Sequence, residues 1–190
     1  MNGYRCLNTN NFEYGDYKIT PVRKKDILKI KDWRNSQIDI LRQKEYLTNK
    51  KQKEYFGKII FPDFASEYPG QIIFSFLLNG KLIGYGGLVH INWEDRRAEL
   101  SFLLEPDRLK DRMQYRKDFT AFLKLMKHVA YLELNFNRLY TETFDIRKHH
   151  ISVLVANRFY PEGRMKKHVL IKNKFIDSLI HGNLKEYEKF

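Results

Sequence analysis

The chain is 190 residues long, 43% hydrophobic and 15% aromatic, with 35 Lys and Arg against 23 Asp and Glu and a formal charge of +12. That length suits one domain with a core covering about 70% of the surface its unfolded chain exposes, and so apolar a composition excludes a disordered chain. The lone cysteine, Cys6, excludes a disulfide framework and a cysteine-based zinc site. No apolar run reaches the ~20 residues of a membrane helix, and the polar start Met1–Asn11 is no signal peptide, so the expected setting is soluble and cytoplasmic.

Tyr17–Val22 (YKITPV) predicts a first strand, interrupted by Pro21. Asp26–Ile40 spaces Ile27, Leu28, Ile30, Trp33 and Ile38 as a helix. A second helix is expected over Lys50–Ile60, capped near Thr48 or Asn49. The period then changes. Gln71–Leu78 (QIIFSFLL) and Lys81–Val89 (KLIGYGGLV) flank Asn79-Gly80, a hairpin signal because both central positions of that turn take positive φ. A second hairpin turns at Trp93-Glu94-Asp95 and returns as Arg97–Leu104, stopped by Pro106. From Tyr115 the helical period resumes through Phe119, Phe122, Leu123, Met126, Val129, Ala130 and Glu133. A short strand follows at Arg138–Phe144, then a helix over about Lys148–Asn157 that buries Ile151, Leu154 and Val155. Arg164–Ile171 and Lys174–Ile180 close the chain as a hairpin turned at Asn173. The whole reads as α/β with a mixed sheet, in the order β-α-α-β-β-β-α-β-α-β-β.

The positive charge is spread over Arg23-Lys24-Lys25, Lys50-Lys51, Arg108–Lys117 and Lys166-Lys167, each broken by apolar or acidic residues, as solvated faces are. Zinc-finger spacing, an RNA-recognition signature and a basic heptad helix are all missing. Nucleic acid stays open on charge alone, a phosphate-bearing ligand accounts for it equally well, and the local patterns that follow favour the latter. His149-His150 does not point to a metal, because neighbours on a helix diverge by ~100° and no third ligand accompanies them.

Four stretches carry a resemblance: Gly84-Tyr85-Gly86-Gly87-Leu88; Arg97-Ala98-Glu99-Leu100-Ser101-Phe102; Tyr131–Asn135 running into Arg138–Glu142; and Arg158-Phe159 with Pro161–Arg164 and Asp177–Gly182. In that order and spacing the chain resembles the GNAT superfamily of acyl-CoA-dependent N-acetyltransferases over about Tyr17–Glu186. It looks most like the branch of ribosomal-protein N-terminal acetyltransferases and enzymes that acetylate nucleotide-linked amino sugars, and Trp33-Arg34-Asn35 is similar to the latter. The resemblance implies one domain over 1–190 and a mixed, mostly antiparallel sheet of about seven strands flanked by helices. It also implies acetyl-CoA as co-substrate and direct attack of a primary amine on the thioester.

The family carries Gln/Arg-x-x-Gly-x-Gly/Ala where the helix after the fourth strand begins, so that backbone N–H groups can approach the pyrophosphate. Here Met113–Phe119 (MQYRKDF) holds no glycine. Either the side chains Arg112, Arg116 and Lys117 take over the phosphates, or the cofactor site is weakened. We prefer retention, with cofactor contacts implied from Arg112, Tyr115, Arg116, Lys117, Asp118 and Phe119, and pantetheine held by the backbone of Phe102, Leu103 and Leu104. After the fifth strand Arg147 replaces an Asn that contacts pantetheine, Leu154 a Tyr that protonates the thiolate, and Arg158 a Gly. His149, His150, a tyrosine or solvent would then return that proton.

An alkyl amine must lose a proton before it attacks, and Glu99 stands in the fourth strand where the family often has a carboxylate for that task. The other reading of Glu99 is a half-exposed ion pair with Arg97 or Lys81. His90, at the end of the third strand, is a second candidate base, or an ordinary surface histidine. Trp33, Arg34 and Asn35 are expected in the acceptor pocket, with Trp33 in the core as the alternative. The expected acceptor is a small-molecule amine, a nucleotide-linked amino sugar being favoured; the alternatives are a protein N-terminus and a non-catalytic CoA- or anion-binding module. Phe61, Phe64 and Tyr68 would suit a homodimer face.

Overall fold

Continuous apolar runs in its central strands build a sheet whose eight strands lie in the order β1-β2-β3-β4-β5-β6-β8-β7. The computed structural model describes residues 3–189; Met1, Asn2 and Phe190, the ends of the expected 1–190 domain, lie outside the described residues. β1 (Phe12–Tyr14) and β2 (Tyr17–Pro21) form a small hairpin, and β3 (Ile72–Leu78), β4 (Lys81–Asn92) and β5 (Arg97–Leu104) a meander. β6 (Arg138–Phe144), β7 (Tyr160–Ile171) and β8 (Lys174–Leu184) complete the sheet. The expected number was about seven. The extra strand is β1, a three-residue edge whose turn at Gly15, φ +57°, is too short to leave a periodic signal.

The helices are α1 (Ile27–Ser36), α2 (Asn49–Tyr55), α3 (Arg112–His128) and α4 (Lys148–Ala156). Thr48 caps α2 as expected, its hydroxyl accepting from the Lys51 N–H. α1 ends sooner than the spacing predicts. Gln37 leaves the helical region and sends its side-chain amide to the carbonyls of Trp33 and Leu104. Val155, expected inside, is exposed, and Val153 fills the core instead.

α3 covers one face of the sheet. Phe102 stacks on Phe119 with centroids 4.5 Å apart and meets Phe122 at 4.7 Å. Phe119 and Phe122 are fully buried, each worth about 1.5–3 kcal/mol of transfer free energy. α1 and α2 cover the other face, where Trp33 belongs to the core. Asn79 and Gly80 take φ +48° and +77°, the turn expected between β3 and β4. Gly86 sits so close to β5 that a Cβ would lie 2.2 Å from the Ser101 carbonyl oxygen. Phe64 is core, which removes it from the expected homodimer face.

Every neighbouring pair of strands is antiparallel except β5 and β6. Those two run parallel and pair only where Arg97–Glu99 faces Arg138–Tyr140. Beyond Glu99 they part, and the gap is the origin of the site.

Candidate active site

The ladder between β4 and β5 decides which backbone groups face the gap. Glu105 donates its N–H to Ile83, and Leu103, Ser101 and Glu99 stand opposite Tyr85, Gly87 and Val89. The odd-numbered residues of β5 therefore bond to β4, while Leu100, Phe102 and Leu104 turn their N–H and C=O groups to the side that β6 has left. Of the three residues expected to hold pantetheine by backbone, Phe102 and Leu104 face the gap and Leu103 does not. The Leu104 carbonyl already accepts from Gln37 Nε2 at 2.9 Å. The cleft, about 170 Å³, is walled by Glu99–Phe102 of β5 and Thr141–Phe144 of β6, with Arg147 just before α4 and His150 within it beside them. Thr141 Oγ1 is buried in this wall without a hydrogen-bond partner. An orphan hydroxyl of that kind fits a cleft built to receive a polar group.

Glu99 and His90 come together at one end. The regular β4–β5 pairing breaks between Val89 and Asn92, and His90 takes φ +48° in this bulge. The bulge aims its Nδ1 at Glu99 Oε2, 2.7 Å away. With Glu99 accepting there, Nδ1 carries a ring proton and Nε2 is the nitrogen left to serve as an acceptor when the ring holds only that one. Glu99 is buried, but its cation is neither Arg97 nor Lys81. Arg42 donates Nη2 to Oε1 at 2.5 Å and Nη1 to Oε2 at 3.2 Å, while Arg97 pairs with Asp95. The same Arg42 Nη2 lies 3.0 Å from Glu142 Oε2 on β6.

The other end of the cleft faces the start of α3. Asp111 caps this helix, its Oδ1 accepting from the N–H groups of Met113 and Gln114. Two of the donors that a phosphate would seek are thus already occupied. Arg112, Arg116 and Lys117 are exposed around them. Asp118 is instead fully buried, gripped by Arg108 at 2.6 and 3.0 Å and receiving Tyr17 Oη and Gln114 Nε2. It is a structural hub, as Phe119 is a core ring. Tyr115 is buried too, its hydroxyl 2.6 Å from His150 Nδ1. Arg147 Nη2 approaches the same nitrogen at 3.4 Å, which places the ring proton of His150 on Nε2. Burial holds His150 well below its ordinary value, hence neutral, and raises the Tyr115 hydroxyl. Burial also lowers Arg147, which makes no ion pair among the described residues. A desolvated guanidinium without a carboxylate suits an anion. His149 turns away to the Arg112 carbonyl, and Leu154 is fully buried in the core.

A second cavity, about 420 Å³, shares Arg34, Val89 and Ser101 with the first and extends under α2 past Gln52, Tyr55 and Phe56. Arg34 spans the two, bonded to Tyr85 Oη at 2.6 Å and Gln43 Oε1 at 3.0 Å. Its sequence neighbours do other work. Trp33 is core under the Lys29 ammonium, and Asn35 bonds the backbone of Leu47 in both directions. Arg42, Tyr85, Thr141 and Glu142 were not read from the sequence as site residues. Arg42 meets Glu99 across 57 positions, and nothing local marks that pairing.

Residues 19–180 match the family model described as an acetyltransferase (GNAT) domain. No curated protein matches the chain. Among solved structures it is similar to a spermidine N-acetyltransferase from Vibrio cholerae in complex with CoA and spermine, at 16% identity and TM-score 0.76, covering 91% of this chain and 98% of that one. It is also similar to Mycobacterium smegmatis RimJ in complex with CoA-disulfide, at 14% identity and TM-score 0.74, covering 92% and 84%. At such identities the likeness is one of fold. The family match spans most of the chain, and the chain therefore belongs to the GNAT acetyltransferases, enzymes that take their acetyl group from acetyl-CoA.

Proposed function

We propose that the protein transfers an acetyl group to the primary amine of a small molecule seated in the cavity under α2. The observation that carries this reading is the His90–Glu99 pair at the mouth of the β5–β6 gap, where Glu99 lines the first cavity and its strand partner Val89 lines both. Acetyl-CoA supplies the activated acyl group as a thioester. The N–H and C=O groups of Phe102 and the N–H of Leu104, whose carbonyl is engaged by Gln37, suit the amide-bearing pantetheine arm. Arg147, Arg112, Arg116 and Lys117 supply cations for its phosphates, because Asp111 has taken the helix amides. His90 Nε2 accepts the amine's proton, with Glu99 holding the ring in the required tautomer. The amine lone pair then attacks the acyl carbon, the nitrogen's second proton leaves to solvent, the carbon–sulfur bond breaks, and the sulfur takes a proton from water, since the neutral His150 ring is no acid for a thiolate.

The nucleotide-linked amino sugar expected from Trp33-Arg34-Asn35 keeps only Arg34 as support, since the other two residues hold the fold. Turnover read as free-thiol release over a panel of primary amines tests the assignment. Glu99→Gln and His90→Ala should each lower kcat about 10²–10⁴-fold, with the KM for acetyl-CoA little changed. Full turnover in both variants removes the base assignment. No thiol release with any amine removes the enzyme.

A further inference from the structure

The acceptor amine has to approach the His90–Glu99 pair as a cation, and in the structure the carboxylate of that pair is already covered by one. Three carboxylate oxygens, Oε1 and Oε2 of Glu99 and Oε2 of Glu142, converge on the guanidinium of Arg42. The two sides of this contact differ in rigidity. Both carboxylates ride on paired strands of the sheet. Glu99 is further held by His90, and Glu142 by Ser178 Oγ at 2.6 Å from β8. Their side chains are 10% and 18% exposed, against 44% for Arg42. Arg42 lies between α1 and α2 on a strap pinned beside it. Gln43 binds Arg34 and Asn35, and Leu47 binds Asn35. The strap can therefore stay in place while the Arg42 side chain swings into solvent.

We infer that Arg42 is a place-holder for the acceptor: the Glu99–Glu142 pair is a seat for a cationic amine, and the arriving ammonium displaces the guanidinium. This inference rests on the proposed acetyl transfer and names its substrate class, an amine without a nearby anionic group. Exchanging one cation for another leaves the two carboxylates compensated throughout. An acceptor carrying phosphate or carboxylate close to its amine would meet them as like charges, so the seat also selects against it.

The test is calorimetric binding of 1,4-diaminobutane and of 4-aminobutanoate, equal in carbon number and opposite in their second group, to the full chain and to Arg42→Gln, Arg42→Lys and Glu142→Gln. Arg42→Gln should bind the diamine at least tenfold more tightly than the native chain, Arg42→Lys should resemble the native chain, and Glu142→Gln should bind more weakly. The amino acid should bind less well than the diamine throughout. Diamine affinity unchanged or reduced in Arg42→Gln, no diamine binding by any form, or tighter binding of 4-aminobutanoate that Arg42→Gln abolishes would each overturn the inference. Binding needs no turnover. Tightening in Arg42→Gln without thiol release from acetyl-CoA would therefore leave the seat standing and remove only the acetyl transfer.

Discussion

His90 holds φ +48° at a bulge, a conformation that costs a side-chain-bearing residue of order 1 kcal/mol or more and persists where surroundings impose it. Its return is the 2.7 Å contact with Glu99. Thr141 shows the same trade in a different form. A buried hydroxyl without a partner costs about 1–3 kcal/mol, so Thr141→Val, nearly equal in shape, should raise unfolding stability by about 1 kcal/mol or more in urea titrations. The same substitution should weaken acetyl-CoA binding if the hydroxyl serves the ligand. A stability loss would show that Thr141 is satisfied in some other way. Glu99 and His90 could be named from sequence because their strands are periodic and the family places a carboxylate there. Arg42 could not, since its partner is distant in the chain and its own segment lacks any period. The strain at His90 was equally hidden: no residue type announces a bulge.

At the level of elements, the boundaries of β5 and β6 were legible to the residue, because Pro106 and the apolar runs punctuate them. Their divergence was not, since pairing between strands so far apart in the chain leaves no local signal in either. The lack of glycine at the start of α3 was visible, and in the structure the helix amides there are held by the Asp111 cap. Asp111→Ala should act with opposite signs on two observables. Loss of the cap should cost about 1 kcal/mol of stability, while the freed N–H groups of Met113 and Gln114 should tighten binding of CoA. Equal loss in both would mean that the cap shapes the phosphate seat instead of competing for it. The expected roles of Asp118 and Phe119 changed for a simple reason. Both lie on the inward face of α3, where the helical period buries them, while Arg112, Arg116 and Lys117 lie outside.

Over the whole molecule the charge of +12 leaves a basic surface, yet the core itself contains ionisable groups kept neutral by burial. His150 is lowered well below 6.5. Below about pH 6.5 the unfolded chain therefore binds a proton on this ring that the folded chain refuses, and stability falls as the pH falls. The contribution is intact above pH 6.5 and shrinks by at most about 1.4 kcal/mol per pH unit beneath it. His150→Asn should lose less stability than the native chain between pH 7 and pH 5; parallel pH profiles would show that the ring charges freely in the fold. His181, lowered by burial as well, adds a slope of the same sign that the variant keeps.

No described helix is long and apolar enough to cross a membrane. The central claim concerns the gap between β5 and β6, where a cofactor seat persists without the glycine loop. Isothermal titration of the purified chain with acetyl-CoA, beside Arg147→Ala, addresses it most directly. The account predicts micromolar binding by the native chain and at least a tenfold loss in the variant. No heat of binding at millimolar acetyl-CoA would contradict it, and the gap would then be a fold feature without its ligand.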